Sequence, residues 1–412
     1  MATRSTTAWT TDGAGVRTIR RIVVVALATL VASGAWAQRD AIVVGAVVSQ
    51  SGLASDLAAG YRKGILLWQS QLNAAGGLLG RSIDVRVADD ASGANEAAEQ
   101  YVQLIERDKA DLLIGPYGSA ASMTSAAVAE RAGRVMVNGA GASGAIHKRG
   151  LRYVFQVATP YAAYAAGVPA VASQWKAGKL FLIARADPVA REMADALAVE
   201  AARRRVPASA VVSFAVETRE FDDFVRQAQA EKATAWIAFG SARDAANMVI
   251  TFKRLGYTPS MFVARGVAQA EFIRRVGQDA EYAIGIAAWT PRLRTAGNDA
   301  FVRAYRERWS LEPDLGAAQG YSAGRVLEAA VRRAGSLDQL RLRDALARLE
   351  VETPLGRFRT DPETGRQLAT QAVLVQILKG RAEIIWPAPL ATASATLPYP
   401  RWDQRRLITA EE

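Results

Sequence analysis

Seven consecutive apolar positions, Ile42-Val43-Val44-Gly45-Ala46-Val47-Val48, leave this segment no face for water. A strand of that kind is buried on both sides, which places it inside a parallel sheet covered by helices. It runs into a turn, Ser49-Gln50-Ser51-Gly52. The next segment carries Leu57, Tyr61, Ile65 and Trp68 at helical spacing and stops at Gly76-Gly77. Ile83-Asp84-Val85-Arg86-Val87 alternates as a second strand, and residues 94–105 return to a helical pattern. Leu112-Leu113-Ile114, a helix over 120–131 and the strand Val135-Met136-Val137 complete a β-α-β-α-β-α-β succession. That order predicts an α/β fold with a doubly wound parallel sheet.

The pattern then starts again. Around Tyr153-Val154-Phe155-Gln156-Val157 the chain is expected to cross over. Strands at 180–183, 210–214, 235–239 and 261–263 alternate with helices at 188–203, 221–231 and 241–255. A strand at 282–288 and helices at 296–309 and 321–334 follow, and the tail reads as short strands at 356–358, 372–378 and 382–386. A second domain of similar build is predicted.

In such a sheet the turns at the carboxyl ends of the strands open into the ligand crevice. Two of these turns, Gly115-Pro116-Tyr117-Gly118-Ser119 and Asn138-Gly139-Ala140-Gly141-Ala142-Ser143, combine glycines with a serine hydroxyl. Glycine lets backbone approach a ligand, and a helix start offers unpaired N–H groups to an anion. Together they predict a carboxylate cradle. Tyr117 is either a wall of that crevice or a packing residue.

The first 37 residues read as a targeting segment. Arg17, Arg20 and Arg21 precede an apolar run over 22–32, followed by Ala35-Trp36-Ala37. A basic region, a short apolar core and an A-x-A site describe a signal peptide cleaved after Ala37. The chain has no cysteine, which excludes disulfides, thiolate nucleophiles, cysteine-held metals and a lipid-anchored amino terminus. The formal charge is +11; four arginines and one aspartate of the targeting segment account for +3, leaving +8. The densest basic runs, Arg203-Arg204-Arg205 and Arg341, Arg343 and Arg348, contain no aromatic, so nucleic acid is not an expected partner. The excess charge favours anionic ligands.

The opening strand, Gly64, Leu72-Asn73-Ala74-Ala75-Gly76-Gly77-Leu78-Leu79-Gly80, Asp89-Asp90 and the two serine turns resemble the type I periplasmic solute-binding proteins of branched-chain amino acid ABC transporters. The strand over 373–379 and Trp386-Pro387 resemble that family's ending, so the likeness covers the chain from Ile42 onward. The resemblance implies two doubly wound lobes joined by crossover strands, residues 38–157 with 285–358 and residues 158–284 with 359–412. It also implies closure of the lobes on a small amino acid or related carboxylate or amide, delivery to a membrane permease, a periplasmic monomer, no enzymatic chemistry and no cofactor. Carried over residue by residue, it implies that Ser119, Ala140, Gly141 and Ser143 hold the ligand's carboxylate. A one-residue shift would put Ala142 at the hydroxyl position. Three positions depart from the family pattern. Leu57 and Val189 stand where aromatics are usual, and Arg265 stands where an acidic residue pairs with an ammonium. Arg265 in the cleft implies an acid or neutral amide as solute; Arg265 on a surface loop carries no such implication.

Other readings of the same residues are weaker. Gly139-Ala140-Gly141-Ala142-Ser143-Gly144 fits G-x-G-x-x-G, but it follows the fourth strand and lacks the acidic residue a dinucleotide site needs. His147 is the only histidine, so zinc sites and histidine-based nucleophile pairs are almost unavailable. Asp89-Asp90 reads better as a strand end than as a metal site. Tyr321, placed at a helix start, either packs or joins the ligand site. A periplasmic sensor of the same fold is the alternative function.

Overall fold

A computed structural model describes residues 1–3, 5–8 and 41–405. Residues 1–3 and 5–8 carry no helix or strand. The cleavage site after Ala37 lies outside the described residues.

The first sheet is built from β1 (Ile42–Val47), β2 (Ile83–Ala88), β3 (Leu112–Ile114), β4 (Met136–Asn138) and β5 (Val154–Gln156). Its order is β2-β1-β3-β4-β5 and every pairing is parallel. Between the strands run α1 (Ser55–Ala74), α2 (Ala94–Glu106), α3 (Ser119–Arg131) and the single turn α4 (Gly144–His147). The segment expected as a crossover is therefore also a fifth strand, β5, at the edge of this sheet. Its three residues are too short for periodicity to identify, and pairing with β4 defines them.

The chain then passes to the second sheet through α5 (Tyr161–Tyr164) and α6 (Gly167–Gln174). Strands β6 (Leu180–Arg185), β7 (Ala208–Phe214), β8 (Ala235–Phe239), β9 (Met261–Arg265) and β10 (Ile284–Ala287) alternate with α7 (Pro188–Arg203), α8 (Asp222–Ala230), α9 (Ala242–Leu255) and α10 (Ala270–Val276). Because β10 pairs with β9, the passage back toward the first sheet falls after Ala287. Helices α11 (Asn298–Trp309), α12 (Leu315–Ala334) and α13 (Gln339–Ala347) follow. A small ribbon of β11 (Val351–Thr353) and β12 (Gly356–Phe358) comes next, and α12 packs on α1. The tail strands β13 (Val373–Leu378) and β14 (Arg381–Trp386) add to the second sheet antiparallel, giving the order β14-β13-β10-β9-β8-β6-β7.

The apolar strands behave as their composition requires. Along β1, Ile42, Val44 and Ala46 face the core beneath α1 and α12, while Val47 faces the one beneath α2 and α3. Along β6 and β8, Leu180, Leu182, Ala235 and Ile237 point one way and Phe181, Ile183 and Trp236 the other. Each fully buried side chain of this size contributes roughly 1.5–3 kcal/mol, so no strand can slip register without exposing a row. Helix ends follow local chemistry. Asp187 accepts from the Ala190 N–H ahead of Pro188, Ser241 and Asp244 form a reciprocal capping box, and Gly256 closes α9 at φ 62°.

One helix start differs from expectation. Tyr321 lies inside α12, whose N-cap is Asp314, with the Ala317 N–H bonded to its carboxylate at 2.7 Å. The apolar pattern is weak there because this turn of α12 is made of small residues. They let its backbone touch α1: a Cβ on Gly320 would sit 2.1 Å from the Tyr61 carbonyl oxygen.

Candidate ligand-binding site

A cavity of about 430 Å³ opens between the two sheets, at the carboxyl ends of their strands. From the first sheet it is lined by Ser49 after β1, Asp90 after β2, Tyr117 to Ala121 after β3, and Ala140 and Ala142 after β4. From the second side come Tyr161 and Tyr164 of α5, Arg185 at the end of β6, Asp187 and Val189 beyond it, and Arg265 at the end of β9. Leu315 and Gln319 of α12 close a further wall. Parallel strands all point their carboxyl ends one way, so residues remote in sequence converge here.

Ser119 is the first residue of α3. Its N-cap, Gly118, adopts φ 87° and supplies no side chain to the first-turn N–H groups. Residues 118–121 all line the cavity, so the positive end of a thirteen-residue helix meets it. The Ser119 Oγ accepts the Ala142 and Ser143 N–H groups, both at 3.2 Å. That occupies its lone pairs and leaves one proton to donate. The nearest acceptor is the Tyr161 Oη at 3.4 Å, long for a hydroxyl bond.

The Asn138–Ser143 turn divides its work. Ala140 and Ala142 line the cavity. Gly141 does not: its N–H donates to Asn138 Oδ1 at 2.8 Å and its carbonyl accepts from Asn138 Nδ2 and Gln156 Nε2. The Ser143 hydroxyl caps α4 by accepting from the Ala145 N–H, and donates to Glu192 at 2.7 Å. Thus the two serine turns are bonded to each other, with Ser119 facing the cavity and Ser143 turned to α7.

Tyr117 lines the cavity and its ring lies 6.0 Å from that of Tyr61. Burial and the Asp314 carboxylate push its phenol up to about 12, against the pull of Arg265. Tyr161 and Tyr164 meet edge to face at 5.8 Å, and burial raises both phenols while Arg265 opposes it. All three are neutral donors or acceptors at ordinary pH.

The acidic residues are occupied. Asp90, 1% exposed, accepts the Ser49 hydroxyl at 2.6 Å and the Ser92 N–H at 2.9 Å. Asp89 binds the Gln50 and Ser51 N–H groups, so the Asp-Asp pair ties the β1 and β2 turns together. No cluster of three or more metal-ligating side chains occurs among the described residues. Asp187 accepts from the Ala190 N–H at 2.9 Å and from Arg185 Nε at 2.7 Å. Burial would raise its carboxyl, but those two bonds outweigh it and hold the group below the usual range. Arg185 also lies 3.7 Å from Asp244.

Arg265 is half-buried in the cavity wall, and its side chain forms no hydrogen bond or ion pair among the described residues. Leu57, on α1, is 63% exposed and is not a lining residue. Tyr321 is not one either; its hydroxyl donates to Gln71 at 2.7 Å and its ring packs on Phe301 at 4.9 Å. His147 is buried away from the cavity, with Nδ1 bonded to the Thr364 carbonyl at 2.9 Å.

Sequence reasoning missed Tyr161, Tyr164, Arg185, Asp187 and Glu192. Arg185 had a signal, since it ends an apolar strand as Arg265 does. Asp187-Pro188 had one as a helix start. Glu192 had none, because an exposed-looking acid on a helix is ordinary in sequence.

The family described as Periplasmic binding protein matches residues 41–382. An "Amino acid binding protein" of Pseudomonas aeruginosa is 23% identical over 345 residues, covering 82% of this chain and 91% of that one. Two solved structures share the fold. The branched-chain amino acid transporter substrate binding protein LivJ from Streptococcus pneumoniae, in complex with isoleucine, has a TM-score of 0.71 at 22% identity, covering 84% of this chain and 100% of its own. A solute binding protein of an ABC transporter from R. palustris, in complex with benzoate, has a TM-score of 0.69 at 21% identity, covering 87% and 98%.

Proposed function

This chain belongs to the periplasmic binding protein family, and on that premise we propose how it works as a solute receptor for an ABC transporter. It captures a small amino acid or related carboxylate or amide between two lobes and passes it to the membrane permease. The observation that carries this reading is the pairing of Ser119 with the uncapped start of α3 at the cavity wall. A hydroxyl with one free proton and a helix N-terminus together suit a carboxylate. Tyr117, Tyr161 and Tyr164 supply apolar faces for the body of the solute.

The lobes carrying the two sheets move as bodies about the crossovers, and closure brings Ser119 and Tyr161 onto the same ligand. The receptor is made with a leader cleaved after Ala37, acts as a monomer in the periplasm and needs no cofactor.

Calorimetric titration of the full chain against amino acids, organic acids and their amides tests the reading. Saturable binding of one solute per chain is expected. A cooperatively folded protein that binds none of them would refute it.

A further inference from the structure

Four charged side chains line the cavity: Asp90, Arg185, Asp187 and Arg265. Their formal charges cancel, but their bonding does not. Asp90 is held by Ser49 and Ser92, while Asp187 is held by Ala190 and Arg185. Arg185 is turned toward Asp187 and Asp244. Arg265 alone keeps its donors free among the described residues. The neighbours on which its charge acts inside the cavity are the phenols of Tyr117, Tyr161 and Tyr164, with the engaged Asp187 beyond. Neutral phenols solvate a guanidinium but do not neutralise it.

The cavity therefore presents electropositive groups from two sides. One is Ser119 with the first turn of α3; the other is Arg265 at the end of β9, on the opposite sheet. Tyrosine rings stand among them. A ligand ammonium would meet an unpaired cation, whereas Asp187 is already paired with Arg185 and Asp90, 1% exposed, is bonded to Ser49 and Ser92. Like charges at close range in a partly desolvated site are costly.

Resting on the receptor reading above, we infer that the solute is an organic acid without an α-ammonium group. It carries a carboxylate at one end and a second oxygen acceptor, carboxylate or carbonyl, at the other. Arg265 determines this specificity: its planar fork binds the second acceptor from the far lobe. A ligand with both groups bridges the lobes, and only the closed form satisfies both contacts.

The test is a calorimetric and thermal-shift comparison on the full chain, wild type and variants. The probes are glutarate, adipate and terephthalate, the matching monoacids valerate, caproate and benzoate, and L-leucine and L-glutamate. The best diacid is expected to bind at least about tenfold more tightly than its monoacid and than either amino acid. Arg265→Ala should remove about that tenfold for the diacid while changing the monoacid less than about threefold, with Arg265→Lys between. Unchanged melting of the unliganded variants confirms that they fold. Tightest binding of L-leucine or L-glutamate would overturn the inference and leave the receptor reading standing. A diacid preference indifferent to Arg265→Ala would overturn the residue's role. A folded protein that binds none of the probes would overturn the inference, while the receptor reading stands or falls by the wider titration above.

Discussion

The Glu192 carboxylate clasps Ser143 across the cleft: one oxygen accepts the Ser143 hydroxyl at 2.7 Å and the other the Gly144 N–H at 2.8 Å. Glu192 belongs to α7, packed on the second sheet, whereas Ser143 ends the turn after β4 of the first. The clasp needs no ligand atom. It sits beside the cavity and ties α7 to the same turn that Ser119 holds from the other side.

Glu192→Ala is expected to weaken ligand binding by about 1.5–3 kcal/mol, the range for hydrogen bonds to a charged group. Scattering of the unliganded variant should show a larger radius than wild type, because the closed form loses a bond the open form never had. Glu192→Gln, which keeps one acceptor, should fall between. Wild-type affinity in Glu192→Ala would show that the clasp has no part in closure.

Ser119→Ala removes the cavity hydroxyl that stands at the start of α3. Affinity for a carboxylate ligand should drop by about 1.5–3 kcal/mol, with a smaller effect on its amide, where the acceptor is neutral. Equal losses for acid and amide in a calorimetric titration would place the carboxylate elsewhere.

Gly64→Ala tests the seam between α1 and α12. A Cβ at Gly64 would lie 2.1 Å from the Ala317 carbonyl oxygen and 2.9 Å from the Tyr321 nitrogen, and both are backbone. The helices must part to admit it, so a loss of about 1–3 kcal/mol and a lower melting temperature are expected. A melting temperature equal to wild type would mean the seam is looser than its geometry indicates.

His147 gives stability a pH dependence of known sign. Burial lowers its pKa, the Thr364 carbonyl partly offsets this, and Arg366 adds to the lowering. Its Nε2 is buried without a partner among the described residues. The unfolded chain therefore takes up a proton near pH 6.5 before the folded one does, and stability falls as pH drops below that value. Asp187, also lowered, loses its contribution only below about pH 4. Since the chain has one histidine, His147→Gln should flatten the melting temperature between about pH 7 and 5. An unchanged slope would exclude His147 as its source.

The sequence determined the α/β fold, its two doubly wound sheets and the turn that presents Ser119. These depend on local rules: strands apolar on both faces must lie between helix layers, and turns at their carboxyl ends must face a crevice. It also singled out Arg265, though its lack of a partner is a fact about neighbours on other elements. Tertiary structure alone decided that Ser143 faces Glu192, that Gly141 is locked to Asn138 and Gln156, and that Tyr321 packs on Phe301. It also decided which charges in the cavity remain free. The reason is distance along the chain: Ser143 and Glu192 are 49 residues apart and their bond depends on the relative placement of two sheets. Residue type and spacing constrain only the element on which each side chain stands; its partner is fixed by how those elements pack.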